Sequence, residues 1–125
     1  MNALVIDDSR AMRAILARIL RNAGFEVREA DHGRAGLEQL RDGTKTDLVL
    51  VDWNMPVMDG LAFLKAVRRD RGFRDIRMMV VTTEIEMGRM AEAMAAGADE
   101  YVMKPFTADV ILQKLELLGL GAQAR

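Results

Sequence analysis

Five times along this chain a short apolar run gives way to a segment whose apolar residues recur at helical spacing. ALVID at 3–7 reads as a strand, and Met12, Ile15, Leu16, Ile19 and Leu20 then keep to one face of a helix. Gly24 stands where that helix would stop in a left-handed cap. EVREA at 26–30 alternates as a half-exposed strand, expected at a sheet edge, and a short helix through Leu37 and Leu40 follows. LVLVD at 48–52 is a strand buried on both faces; Pro56 and Gly60 punctuate the turn after it, and Leu61, Leu64 and Val67 mark the next helix. RMMVVT at 77–82 is the fourth strand, with Met87, Met90, Ala91 and Met94 striping a helix that Gly97 ends. YVMK at 101–104 is the fifth, halted by Pro105, and Val110, Ile111, Leu115 and Leu118 belong to a last helix.

Parallel strands need crossover connections, so this alternation predicts an α/β fold, a doubly wound five-stranded parallel sheet with helices on both faces. The length fits one domain over residues 1–120, with 121–125 expected as a frayed tail. Eighteen basic residues against 19 acidic ones leave a formal net charge of -1, and the 14 arginines are scattered along the sequence. That balance argues against a nucleic-acid or membrane-surface partner. Without cysteine there is no disulfide scaffold and no thiolate metal site. No secretory pattern opens the chain and no apolar run is long enough to span a bilayer, so the cytoplasm is the expected compartment.

In doubly wound sheets, sites form beyond the carboxyl ends of the strands. The first strand ends in Asp7 and Asp8, the third in Asp52, the fourth in Thr82 and Thr83, and the fifth in Lys104. Each has an ordinary explanation alone: Asp7-Asp8-Ser9 as a helix cap, the threonines as another cap, Lys104 as a loop charge. Asp52 resists one, because burying a lone carboxylate is costly. Two carboxylates about 4 Å apart repel by roughly 4 kcal/mol at an effective dielectric near 20, enough to keep one protonated at neutral pH unless a cation intervenes. An all-oxygen ligand set suits a hard ion such as Mg²⁺. A carboxylate beside Mg²⁺, with a hydroxyl and an ammonium at hand, is equipped for phosphoryl transfer, the carboxylate itself serving as nucleophile.

VIDD, LVLVDWNMPVMDG, VVTT and YVMKPF, in this order and spacing, resemble the receiver domain of two-component response regulators, most of all its single-domain chemotaxis members. The resemblance covers essentially the whole chain. It implies the flavodoxin-like strand order 2-1-3-4-5, Asp52 as phosphoacceptor, and Mg²⁺ held by Asp7, Asp8, Asp52 and the carbonyl of Asn54. It further implies that Thr82 and Lys104 contact the phosphoryl group, and that Tyr101 turns as Thr82 moves. Trp53, beside the phosphoacceptor, would report on the ion; Asn54 and Glu84 would tune dephosphorylation; and Lys104–Pro105 would be a cis peptide. The partners it implies are a histidine kinase as phosphodonor, a protein target such as the flagellar motor switch, and a phosphatase. The protein would then be a monomeric messenger whose only catalysis is its own phosphorylation and dephosphorylation. A phosphorelay or phosphate-sink role is the alternative within the family. The Met-rich fourth helix, poorer in Lys than expected of the enteric form, leaves the target open.

Two rivals share parts of this pattern. A haloacid-dehalogenase-type phosphatase needs a second Asp two positions after the nucleophile, where this chain has Asn54. A flavodoxin-like flavin carrier needs a hydroxyl-rich phosphate loop after the first strand, where Asp7 and Asp8 would repel the phosphate.

Overall fold

The computed structural model describes residues 1–55 and 57–121, apart from the side chains of Glu84, Ile85 and Met87. The turn expected at Pro56, the place of Met87 in its stripe and the tail beyond residue 121 lie outside the described residues. The strands are β1 (Asn2–Ile6), β2 (Glu26–Ala30), β3 (Leu48–Asp52), β4 (Arg77–Thr83) and β5 (Glu100–Lys104). Between and after them come helices α1 (Arg10–Asn22), α2 (Gly33–Leu40), α3 (Gly60–Arg69), α4 (Met90–Ala95) and α5 (Ala108–Leu117). All pairings are parallel, in the order β2-β1-β3-β4-β5.

Strand alternation divides the core into two layers. Ala3, Val5, Leu48, Leu50, Met79 and Val81 pack towards Leu16 and Leu20 of α1 and Ile111 and Leu115 of α5. Leu4, Ile6, Val49, Val51, Met78 and Val80 face Leu37 of α2, Phe63 and Leu64 of α3, and Met90 and Ala93 of α4. β1, β3 and β4 are thus apolar on both faces, as their continuous runs required. Chain reversal after α1 and α4 uses Gly24 (φ 98) and Gly97 (φ 114), both in the left-handed region.

Three local expectations need correction. Ile15, assigned to the buried stripe of α1, is 49% exposed, and Ala17 is buried instead; the helix meets the sheet along a strip narrower than its apolar arc. The fourth helix is regular only from Met90, after a six-residue 3-10 turn over Glu84–Arg89. Of its expected stripe, Met90 is buried with Ala93, whereas Ala91 and Met94 are exposed. β2 lies at the edge but does not alternate cleanly, because Arg28 is half-buried. Its guanidinium donates to the Gln39 carbonyl, to Asp42 Oδ2 and to Thr46 Oγ1, which holds its stem under α2.

Candidate functional site

Register brings the acids together. Ile6 lies beside Val51, so the next residues on each strand, Asp7 and Asp52, emerge side by side at the carboxyl edge. Ser9 caps α1, its side chain accepting from the Met12 N–H, which frees Asp7 and Asp8 from that task. Carboxylate oxygens of Asp7, Asp8 and Asp52 lie within 4.8 Å of one another. Asp7 is fully buried, Asp52 nearly so, and Asp8 is exposed.

Lys104 reaches this group from two strands away. Its ammonium is 3.5 Å from Asp52 Oδ1 and 3.7 Å from Asp7 Oδ2. The preceding residues of β5 set its position, and the Lys104–Pro105 bond is cis. Asp7 Oδ1 accepts the Ser9 N–H at 2.8 Å, while Oδ2 is buried without a hydrogen-bond partner among the described residues. Thr82 is also buried, and its hydroxyl makes only a long 3.4 Å bond to the Thr83 carbonyl.

Burial pushes the Asp52 carboxyl up to about 6; Asp7 adds to the rise, and Lys104 and the Asn54 backbone N–H oppose it. Burial raises Asp7 as well, against the Ser9 N–H and Lys104. Burial is thus a larger cause than repulsion between the carboxylates, and Lys104 is the cation that opposes both. Three clustered carboxylates, one with an unpartnered buried oxygen, fit a small divalent cation that prefers oxygen ligands.

The remaining expected residues surround this basin. Asn54 is exposed in the turn after β3. Trp53 is buried on the α4 face, its indole N–H unpartnered among the described residues. Tyr101 is half-buried, on the same sheet face as Thr82. The side chain of Glu84 lies outside the described residues. Sequence reasoning missed three basic neighbours. Arg13 donates to the Asp7 carbonyl at 2.8 Å and pairs with Glu29 at 3.2 Å. Arg89 lies 5.1 Å from the centre of the Trp53 ring. Lys114 lies 4.7 Å from that of Tyr101 and 3.0 Å from Glu100 Oε1. Only Arg13 left a sequence signal, one helical turn after the capping Ser9; the others meet their partners through tertiary packing.

A parallel sheet in this order with an acidic group at its carboxyl edge defines a class, and the family model described as the response regulator receiver domain matches residues 3–116. The chain belongs to that family, whose members are signalling modules of two-component systems that take phosphoryl groups from histidine kinases and bind Mg²⁺ at an acidic pocket. Among its relatives, chemotaxis protein CheY1 of Helicobacter pylori strain J99 is 41% identical over 119 residues, covering 94% of this chain and 96% of that protein. Chemotaxis protein CheY of Pseudomonas aeruginosa is 41% identical over 117 residues, covering 93% and 94%. The solved structure of Vibrio cholerae chemotaxis protein CheY4 superposes with a TM-score of 0.87 at 33% identity, covering 94% and 97%.

Proposed function

We propose that Asp52 accepts a phosphoryl group from the phosphohistidine of a histidine kinase and thereby switches a protein-binding face in a chemotaxis pathway. One observation carries this reading: a buried carboxylate at the end of the central strand has an ammonium 3.5 Å away and two further carboxylates beside it. In the transfer an Asp52 oxygen forms the new bond to phosphorus as the phosphorus–nitrogen bond breaks, its electron pair returning to the imidazole. Lys104 and the Thr82 hydroxyl donate to phosphoryl oxygens. Asp7, Asp8, Asp52 and the Asn54 carbonyl would hold Mg²⁺, which when bound offsets phosphoryl charge. Residues 1–120 act as one receiver unit, monomeric and cytoplasmic, with no catalysis beyond its own phosphorylation and dephosphorylation.

Tyr101 pairs with Val80, one step from Thr82 on the same sheet face. Movement of Thr82 towards the phosphoryl group opens space on that face, Tyr101 turns into it, and the surface of α4, β5 and α5 changes shape. Ligand-driven shifts of this kind are limited by the differential affinity of phosphate for the two states. The chemotaxis assignment is supported by the names of relatives that match this chain over most of both lengths. The flagellar motor switch is the proposed target, and Glu84 is assigned to tuning dephosphorylation.

Acetyl phosphate with Mg²⁺ is expected to label Asp52 alone, as an acid-labile, hydroxylamine-sensitive acyl phosphate. Asp52→Asn abolishes labelling with the fold intact. Thr82→Ala still accepts phosphate but binds its target little better afterwards; a full wild-type gain in affinity would refute the coupling route. A target that binds both forms equally would instead favour the phosphate-sink role.

A further inference from the structure

A furrow crosses the end of the sheet opposite the acidic group. One hollow of about 260 Å³ has Leu40, Phe73 and Ile76 as its apolar lining, with Thr44 and Thr46 beside them. A wider hollow of about 520 Å³ is lined by Arg41, Ala66, Arg69, Asp70 and Arg71. Leu40 and Arg41 are consecutive, as are Arg71 and Gly72, so the hollows adjoin. Arginines scattered in the sequence are thus gathered by the fold at the carboxyl ends of α2 and α3.

Arg41, Arg69 and Arg71 are exposed, and none of them forms an ion pair among the described residues. Asp70 is the acid among them, and its Oδ1 is engaged by the Gly72 N–H at 2.9 Å. In the smaller hollow Lys45 lies 3.8 Å from Asp47 Oδ1, and Asp75 adds one acid to the lining. Three guanidiniums and one carboxylate line the wider hollow, a net charge of plus two beside the apolar lining of its neighbour, an arrangement that a bound anion relieves.

Both walls are braced. Arg28 bonds Asp42 and Thr46 at 3.0 and 2.7 Å, Asp42 Oδ1 accepts the Thr44 N–H at 2.8 Å, and Asn2 donates to the Lys45 carbonyl at 3.0 Å. On the other side Arg68 donates to the carbonyls of Phe73 and Arg74 at 3.2 and 3.3 Å. A furrow fixed before binding spares a ligand the cost of ordering it.

We propose that this furrow docks an acidic peptide segment of a protein partner. One apolar side chain of the segment seats against Leu40, Phe73 and Ile76, and its carboxylates lie among Arg41, Arg69 and Arg71. Planar guanidiniums suit carboxylates because their paired donors match two oxygens. A five-residue strand separates the furrow from Asp52 by about 17 Å, so both can be occupied together.

The test is a titration of the ¹⁵N-labelled full chain with the synthetic peptide acetyl-Glu-Glu-Phe-Glu-Glu-amide. The expected result is saturable amide shifts centred on Gly43, Thr44, Gly72 and Phe73. The combined reversal R41E/R69E/R71E is expected to weaken binding at least tenfold, with Asp52 labelling by acetyl phosphate unchanged. R71E alone, which carries less folding risk, gives a smaller loss in the same direction. Shifts scattered over the surface, shifts unaffected by the reversals, or a Lys-for-Glu peptide binding equally well would overturn the proposal. So would inorganic phosphate alone reproducing the shifts, which means an adventitious ion only, or a concentration-dependent dimer abolished by R71E, which means a second copy is the occupant.

Discussion

Asp7 and Asp52 stand side by side because one step of strand register puts them there, and burial raises both carboxyls. Their electrostatic coupling is directly testable. Asp7→Asn removes a neighbouring negative charge, so Asp52 should titrate below its present value of about 6, read from its side-chain carbonyl shift. An unmoved midpoint would mean that burial alone sets it. Mg²⁺ binding, on the proposed reading, requires Asp52 ionised. With a midpoint near 6, roughly a tenth of the carboxyl is ionised at pH 5 and nine tenths at pH 7, so apparent affinity should fall roughly tenfold across that window. Trp53 emission provides the titration signal. Affinity flat between pH 5 and 7 would remove Asp52 from the ligand set.

Among the elements, the start of α3 is held closely against the end of β3. A Cβ on Gly60 would lie 2.8 Å from the Asp52 carbonyl oxygen and 2.9 Å from the Trp53 Cα, backbone atoms that cannot swing aside. Gly60→Ala should therefore cost about 2 kcal/mol in urea unfolding and slow Asp52 labelling, since the same backbone carries the carboxylate. Arg68 is the other tie. From α3 it reaches the Gly97 carbonyl, the Phe73 and Arg74 carbonyls, and Asp99 Oδ2 at 2.9 Å. Arg68→Ala should destabilise by roughly 2–3 kcal/mol, because several part-buried acceptors lose their donor together. A loss under about half a kcal/mol would mean that water replaces the side chain. Helix periodicity could not reveal these ties, since α3 and Gly97 are joined by packing across some thirty residues. It also overextended α4: a 3-10 turn carries the chain from Thr83 to Arg89 before the helix proper.

For the whole molecule, the raised Asp52 carboxyl makes stability depend on pH in a stated direction. The folded chain binds this proton more tightly than the unfolded one, whose carboxyl titrates near its ordinary value of 3.8. Stability from this group is therefore full below about pH 4 and is lost as pH rises through about 6. Metal-free protein should resist urea better at pH 5 than at pH 7.5, and Asp52→Asn should flatten that slope. Saturating Mg²⁺ should oppose it, because the ion binds the ionised folded form.

The five strands and five helices in their order, the double-sided burial of the central strands, and the polar residues that end them were all legible along the chain. Those properties follow from local apolar periodicity, and a strand end is visible wherever an apolar run stops at a charge. EVREA could be read as a strand, but not as one whose Arg28 bends under α2, because that depends on the carbonyls α2 offers. The family resemblance anticipated that the acids and Lys104 would meet, whereas the tertiary structure set their distances and brought Arg89 to Trp53. The tertiary structure alone gathered Arg41, Arg69 and Arg71 from two helix ends into one furrow. The physical reason is common to all of these: a pattern along the chain records which face each residue presents, whereas a contact between distant residues depends on register and crossover, which packing of the whole core fixes.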